Sequence, residues 1–352
     1  MKKRLLGLVI LLILGYAAVQ YRPDADVGNL PEENHQVQDE KPQTNGLSIR
    51  ITKDQVYEGN LLLVNKDHPV PPGGEASDAV ILSKHWELVN GYVLLDHSIR
   101  LTPSLAQKFT TMIEAAQKDG VNRFAITSGY RDEKEQRELY EEMGPDYALP
   151  AGYSEHNLGL ALDIGSTQGK MEVAAEGKWL KDNAWKYGFI LRYPEDKTAI
   201  TGIRNEPWHF RYVGLPHSAI MYEKNFVLEE YLDYLKEQKA ITTTINNQVY
   251  KIFYYSISEN TTIKVPSIGR YEISGNNMDG VIVTVYSGQG DASTNETPAN
   301  SVPEGASAAP SGKVPADAGE SPSGKIPAEM IPSRKTPNDV MPSVQLPVEG
   351  NE

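Results

Sequence analysis

The sequence predicts an α+β fold, an antiparallel sheet with packed helices, followed by a small appended β module. Three observations predict it. Between about Leu61 and Gln238, short apolar runs alternate with segments whose apolar residues recur at helical spacing. Past Lys239 the texture changes to strand alternation broken by Asn, Gly and Ser turns. The chain has 352 residues with 39% apolar composition, enough for one well-buried core with smaller attachments rather than two enzymes.

At the N-terminus, Lys2-Lys3-Arg4 precedes an uncharged run from Leu5 to Val19, a basic region followed by an apolar segment that reads as an export signal. Spanning a bilayer takes about 20 residues, so the run is short for an anchor. The basic residues ahead of it nevertheless favour a retained anchor with the folded part outside the cell membrane, and secretion after cleavage is the alternative. Residues 1–21 are therefore assigned to a signal anchor or signal peptide. Residues 22–48 are polar and lack apolar periodicity, as in a solvated stalk.

The main domain is assigned to 49–240. Leu61 to Val64, bounded by Asn60 and Asn65, reads as a short buried strand. Thr102-Pro103 supplies a cap and first turn for a helix carrying Leu105, Phe109, Met112, Ile113 and Ala116 until Gly120 stops it. Phe124 to Thr127 reads as a strand, and Asp132 with Glu135 forms a capping box for a helix ending near Gly144. Further helices are expected from about Gly177 to Tyr187 and from Pro216 to about Gln238. The β module is assigned to 241–286, with strands around Ile241–Ile245, Val249–Tyr255, Tyr271–Ile273 and Val281–Val285. Residues 287–352 are rich in Pro, Ser and Gly, with a proline every fifth residue from Pro322 to Pro347, a composition that cannot build a core.

A formal charge of -13 argues against nucleic acid or anionic lipid as the principal partner. With no cysteine in the chain, disulfides, thiolate metal ligands and a cysteine nucleophile are all excluded. Any metal must sit on histidine and carboxylate.

Two stretches carry such residues. In the run Leu158, Leu160, Leu162 and Ile164, alternation predicts a buried strand with Gly159, Ala161 and Asp163 on its other face. His156 enters that strand and is near enough in sequence to share a cation with Asp163, although the pair alone fits a hydrogen-bonded His–Asp contact equally well. The second stretch, Glu206-Pro207-Trp208-His209, adds a third donor and another carboxylate. Strict alternation would put Glu206 and His209 on opposite faces, so Glu206 is expected before the regular strand or at a bulge. Three protein ligands leave zinc an open position, and a carboxylate beside it can take a proton from water.

Ser-Gly-Tyr-Arg (128–131), Ser-x-His-x-x-Gly-x-Ala-x-Asp (154–163) and Glu-Pro-Trp-His-x-Arg-Tyr-Val-Gly (206–214), in this order and spacing, resemble the VanY family of zinc D,D-carboxypeptidases. The resemblance runs from about Leu61 to the β module near Val285. It implies a mononuclear zinc site, one Zn2+ per chain, held by His156, Asp163 and His209. Glu206 is implied as general base and then acid, and Arg131 as the cation that polarises the scissile carbonyl. Ser154 and Gln136 match positions that hold the substrate's terminal D-alanine. The implied activity is removal of that residue from peptidoglycan precursors ending in D-Ala-D-Ala, associated with glycopeptide resistance. The dipeptidase branch of the superfamily carries an acidic residue three positions before the arginine; here that place is Ser128, which points to longer stem peptides as substrates. No serine is followed by lysine at the third place, so a penicillin-sensitive serine mechanism is not expected.

Two alternatives stand beside this reading. One is a stem-peptide endopeptidase of the same superfamily. The other is a non-catalytic wall-binding protein with a structural zinc, which His85, His97 or His217 would have to close as a fourth ligand. Trp179, Trp185 and the tyrosines are read as core packing rather than a stacking strip for substrate.

Overall fold

The structure is a computed structural model that describes residues 46–144, 148–266 and 270–287. The readings of 1–21 as an export segment, of most of the stalk and of nearly all the proline-rich tail lie outside the described residues. No helix among the described residues is long and apolar enough to cross a membrane.

In chain order the main elements are β1 (Gly46–Ile51), β2 (Val80–Ile81), β3 (Val93–Leu94), β4 (Arg100–Leu101), α1 (Pro103–Lys118), β5 (Phe124–Ser128), α2 (Glu133–Met143), β6 (Ala161–Ser166) and α3 (Ala175–Asn183). They continue through β7 (Phe189–Leu191), α4 (Thr198–Thr201), β8 (His209–Tyr212), α5 (His217–Lys224) and α6 (Leu228–Gln238), then β9 (Ala240–Ile245), β10 (Gln248–Ser256), β11 (Thr261–Pro266), β12 (Arg270–Gly275) and β13 (Gly280–Ser287). The class is the α+β one that the sequence predicts.

A five-stranded sheet in the order β3-β5-β6-β8-β7 carries the site. Its pairs are antiparallel except β3 with β5, which run parallel. One face packs on α1, whose Thr102 cap accepts a hydrogen bond from Leu105 N and whose apolar stripe of Leu105, Phe109, Met112, Ile113 and Ala116 is buried. Phe124 and Ile126 of β5, Leu162 and Ile164 of β6, and Phe210 of β8 meet that stripe in one cluster. Burying each such side chain contributes roughly 1.5–3 kcal/mol. Because strand side chains alternate, filling this face with Leu162, Ile164 and Phe210 turns Asp163 and His209 to the other.

Several elements differ from the sequence expectation, each for a local reason. Leu61 to Val64 is buried but forms no strand; its backbone is held instead by Leu63 N donating to Asn276 O and by Asn277 Nδ2 donating to Leu63 O at 2.8 Å. The strand expected from Leu158 begins only at Ala161, because Glu155–Leu158 is a 3-10 turn closed by Gly159 at φ 66°. The helix expected at Gly177 starts at Ala175 and passes at Ala184 into a 3-10 turn. The single helix expected from Pro216 is two, α5 and α6, separated where Asn225 adopts a left-handed φ of 51°.

The strands of the β module pair in the order β12-β13-β10-β9. They are tied to the rest of the fold. β1 pairs antiparallel with β11, so residues 46–48, read as stalk, already belong to a strand. Leu228, Tyr231, Leu232 and Leu235 of α6 share a core with Ile241, Ile252, Tyr254 and Ile282.

His217 bridges the same junction. Its Nδ1 lies 2.7 Å from Tyr231 Oη and its Nε2 3.0 Å from Thr284 Oγ1. Burial pushes this imidazole down to about 3 from its ordinary 6.5. The folded state thus binds this proton less readily than the unfolded chain, and stability present above pH ~6.5 is lost progressively as pH falls toward 3. Urea midpoints are expected to drop between pH 7 and pH 4.5, and His217→Gln should remove part of that drop; an unchanged slope in the variant would contradict the assignment.

Candidate metal centre and active site

Strand register builds the centre. Asp163 on β6 stands directly opposite His209 on β8, and opposite Ser128 at the end of β5 on its other side. Cross-strand neighbours have Cβ atoms about 4.5–5.5 Å apart, so the two side chains meet without help from a loop. His156 arrives from the 3-10 turn before β6. Glu206 lies just before β8, its N–H bound to Tyr193 O at 2.9 Å and its carbonyl accepting from His209 N at 3.0 Å. That turn lets Glu206 and His209 face the same space, as expected of a residue outside the regular strand.

One potential ligand atom from each of His156, Asp163 and His209 lies within 4.8 Å of the others. Asp163 Oδ1 is 3.4 Å from His156 Nε2 and 3.2 Å from His209 Nδ1. The outer nitrogen of each ring faces an acceptor: His156 Nδ1 lies 2.6 Å from Gly129 O, and His209 Nε2 lies 3.4 Å from Glu155 Oε2. A proton on each outer nitrogen leaves the inner lone pairs pointing toward Asp163. Asp163 Oδ1 itself is buried with no hydrogen-bond partner. An orphaned carboxylate oxygen facing two imidazole lone pairs is a donor set that fits a divalent cation, and two nitrogens with one oxygen suit zinc.

The electrostatics agree with this reading. Burial alone would push the Asp163 carboxyl up, but His156 and His209 hold it well below the usual carboxylate range. Burial, aided by the Arg131 cation, pushes His156 down to about 4, so this ring is neutral. His209 goes the other way: against burial, its contacts with Asp163 and Glu155 raise it to about 9. A cation bound at the inner nitrogen would displace that extra proton, since metal binding to imidazole releases protons. Burial pushes Glu206 up to about 7, with His209 pulling the other way and Asp163 adding to the rise. A carboxyl titrating near neutrality suits both uptake and return of a proton.

Arg131 lies on the rim. Its Nη1 is 3.8 Å from Asp163 Oδ2 and donates to Ser128 Oγ at 2.5 Å, while its Nε donates to Gln136 Oε1 at 2.8 Å. Gln136 is buried on α2, and its Nε2 donates to Leu149 O at 2.6 Å, so both ends of its amide are engaged by the protein. Ser154 caps the 3-10 turn, its Oγ accepting from His156 N at 3.3 Å. In this structure Gln136 holds Arg131, and Ser154 holds the backbone of His156. Gly129 passes so close to β4 that a Cβ there would lie 2.1 Å from Arg100 O, which is why glycine carries the carbonyl that fixes His156.

The histidines considered as a fourth ligand are elsewhere. His217 is committed to Tyr231 and Thr284, His85 is paired with Glu87, and neither they nor His97 belong to the cluster.

Sequence reasoning left three charged residues behind the centre without a role. Glu155, Arg192 and Arg211 are buried together, with Arg192 Nε and Arg211 Nη1 each donating to Glu155 Oε1 at 2.8 Å. The legible signal was charge inside apolar strand sequence, Arg192 after Phe189-Ile190-Leu191 and Arg211 beside Phe210. Tyr193, also buried, lays its ring 4.8 Å from that of His209.

Comparison with known proteins places this geometry among relatives. A family model described as VanY, D-alanyl-D-alanine carboxypeptidase, matches residues 98–215. The chain is 57% identical over 295 residues to a D-alanyl-D-alanine carboxypeptidase of Enterococcus faecium, covering 81% of this chain and 97% of that protein. It is 39% identical over 196 residues to the bifunctional D-Ala-D-Ala dipeptidase and carboxypeptidase VanXYC of Enterococcus gallinarum, covering 50% of this chain and 95% of that one. Among solved structures, the vancomycin resistance D,D-dipeptidase VanXYg in complex with a D-Ala-D-Ala phosphinate analog is similar at TM-score 0.60 and 33% identity, covering 68% of this chain and 98% of that chain.

Proposed function

Since the chain belongs to the VanY family of D-alanyl-D-alanine carboxypeptidases, we propose that it is a zinc-dependent D,D-carboxypeptidase that hydrolyses the terminal D-alanine from peptidoglycan precursors ending in D-Ala-D-Ala. The observation that carries the reading is the buried, unpartnered Asp163 Oδ1 facing His156 and His209 beside a carboxyl raised to about 7.

His156, Asp163 and His209 would hold the ion. When bound, zinc supplies a Lewis acid that makes water a nucleophile at neutral pH and polarises a carbonyl. Glu206 takes the proton that water gives up as it attacks the carbonyl carbon, and returns it to the nitrogen of the departing D-alanine as the C–N bond breaks. Arg131, held by Ser128 and Gln136, offers a fixed cation to the negative charge that grows on the carbonyl oxygen. Gln136 and Ser154 serve the terminal D-alanine through the groups they fix, Arg131 and the His156 turn.

Ser128 is neutral and already accepts from Arg131, which disfavours binding of a dipeptide's free ammonium and favours longer stem peptides. Loss of such termini lowers the supply of the vancomycin target, contributing to glycopeptide resistance. The basic Lys2-Lys3-Arg4 and the apolar run after it support an anchored protein with its active site outside the membrane.

Mass spectrometry of a muramyl-type pentapeptide after digestion tests the reaction. The expected product is the tetrapeptide plus one D-alanine, formed equally with and without penicillin. Release of a larger fragment would favour the endopeptidase alternative, and an intact peptide would reject both.

A further inference from the structure

The catalytic reading leaves Glu155 unused, although it is among the most buried charges of the fold. Its side chain has no exposed surface, and neither do those of its partners Arg192 and Arg211. Buried ion pairs of this kind contribute little net stability, because desolvation offsets their attraction. Their geometry is informative instead. Glu155 Oε1 accepts from both guanidiniums at 2.8 Å, leaving Oε2 directed at His209 Nε2 at 3.4 Å.

The two arginines are themselves fixed from behind. Arg192 forks onto Glu229 of α6 through Nη1 and Nη2, both at 2.8 Å. Arg211 Nη2 donates to Asn60 O at 2.9 Å and Leu62 O at 3.0 Å. The irregular segment around Leu61, expected as a strand, thus supplies the carbonyls that hold Arg211 in place.

We propose that Glu155 is a positioning residue for the metal centre: by accepting the Nε2 proton of His209 it fixes the ring and its tautomer, so that Nδ1 is presented beside Asp163. Arg192 and Arg211, both bound to Oε1, hold Glu155 with Oε2 aimed at the ring. The companion ring needs no carboxylate, since Gly129 O performs the same task for His156 at 2.6 Å. The two ligands are thus oriented by different devices, one a backbone carbonyl and the other a buried anion. An outer carboxylate also raises the donor strength of an imidazole, and loss of such a partner typically costs about 10–100-fold in metal affinity.

This inference rests on the zinc reading, and its test separates the two. Zinc affinity is measured by chelator competition on purified wild type, Glu155→Gln and Glu229→Gln, with thermal melts on each. Glu155→Gln is expected to bind zinc about 10–100-fold more weakly. Glu229→Gln, which breaks the same buried network without touching His209, should lower the melting temperature and leave zinc affinity well short of the roughly 10-fold loss expected when a ligand partner is removed.

Nitrogen NMR of the zinc-loaded wild type gives a readout independent of variant folding: His209 should carry a slowly exchanging proton on Nε2, with zinc on Nδ1. An unprotonated Nε2, unchanged affinity in folded Glu155→Gln, or equal losses in both variants would overturn the proposal. A wild type that binds no zinc would instead overturn the functional reading on which it rests.

Discussion

Replacing Glu206 with glutamine is expected to lower kcat on a D-Ala-D-Ala-terminated peptide by about 10²–10⁴-fold while leaving bound zinc unchanged. The carboxyl lies 3.6 Å from His209 Nδ1, outside the set of three ligand atoms gathered around Asp163 Oδ1. Glutamine keeps its shape and its backbone anchors to Tyr193 and His209 but cannot take up and return a proton. The fold should tolerate the change, because burial already pushes this carboxyl up to about 7 and a neutral side chain relieves that burden. Metal content is the informative control. A structural zinc protein would have no use for Glu206, so unchanged hydrolysis in a zinc-replete variant would remove the base from the mechanism.

Asp163→Asn is expected to do the converse, weakening zinc binding by more than about 100-fold, beyond the range seen when only an outer partner of a ligand is lost. Asp163 Oδ1 is buried, lacks a hydrogen-bond partner and faces both imidazoles, so this oxygen calls for a cation or a proton between them, while Oδ2 lies 3.8 Å from Arg131 Nη1. An amide at this position removes the charge and presents a donor to one of the rings. The strand itself should persist, since Leu162 and Ile164 on the opposite face keep β6 in the core. The expected variant is therefore folded, poor in metal and inactive. Equilibrium dialysis against zinc, with a thermal melt on the same sample, checks all three properties.

How far the sequence reaches can be seen residue by residue. Apolar spacing places α1 and β5 closely, because Thr102, Pro103 and the stripe from Leu105 to Ala116 are local signals that tertiary contacts reinforce. Alternation around Leu162 and Ile164 correctly turns Asp163 to the opposite face, and Pro207 with the face argument sets Glu206 ahead of β8. The failures are tertiary. Leu61 to Val64 has strand composition, yet the groups it bonds to are Ser274, Asn276, Asn277 and Arg211, between 149 and 214 positions away. Asn225 ends a helix that periodicity alone would carry through. Glu155 lies inside a motif legible at once, but its two arginine partners stand 37 and 56 positions downstream, one just past β7 and the other on β8. For Gln136, which the resemblance implies as a contact for the substrate, the structure adds Arg131 and Leu149 as partners, the second of them 13 positions away.

The central claim is that a single zinc held by His156, Asp163 and His209 makes Glu206 an effective base for D-alanine release. The most direct test is to strip wild type, Glu206→Gln and Asp163→Asn with chelator and titrate zinc back, following bound metal and D-alanine released from a pentapeptide together. Wild-type release should rise in proportion to bound zinc and level off at one ion per chain. Glu206→Gln should take up the same zinc and release almost nothing, and Asp163→Asn should do neither. Full release from the stripped wild type, or zinc saturation with no D-alanine appearing, would contradict the claim.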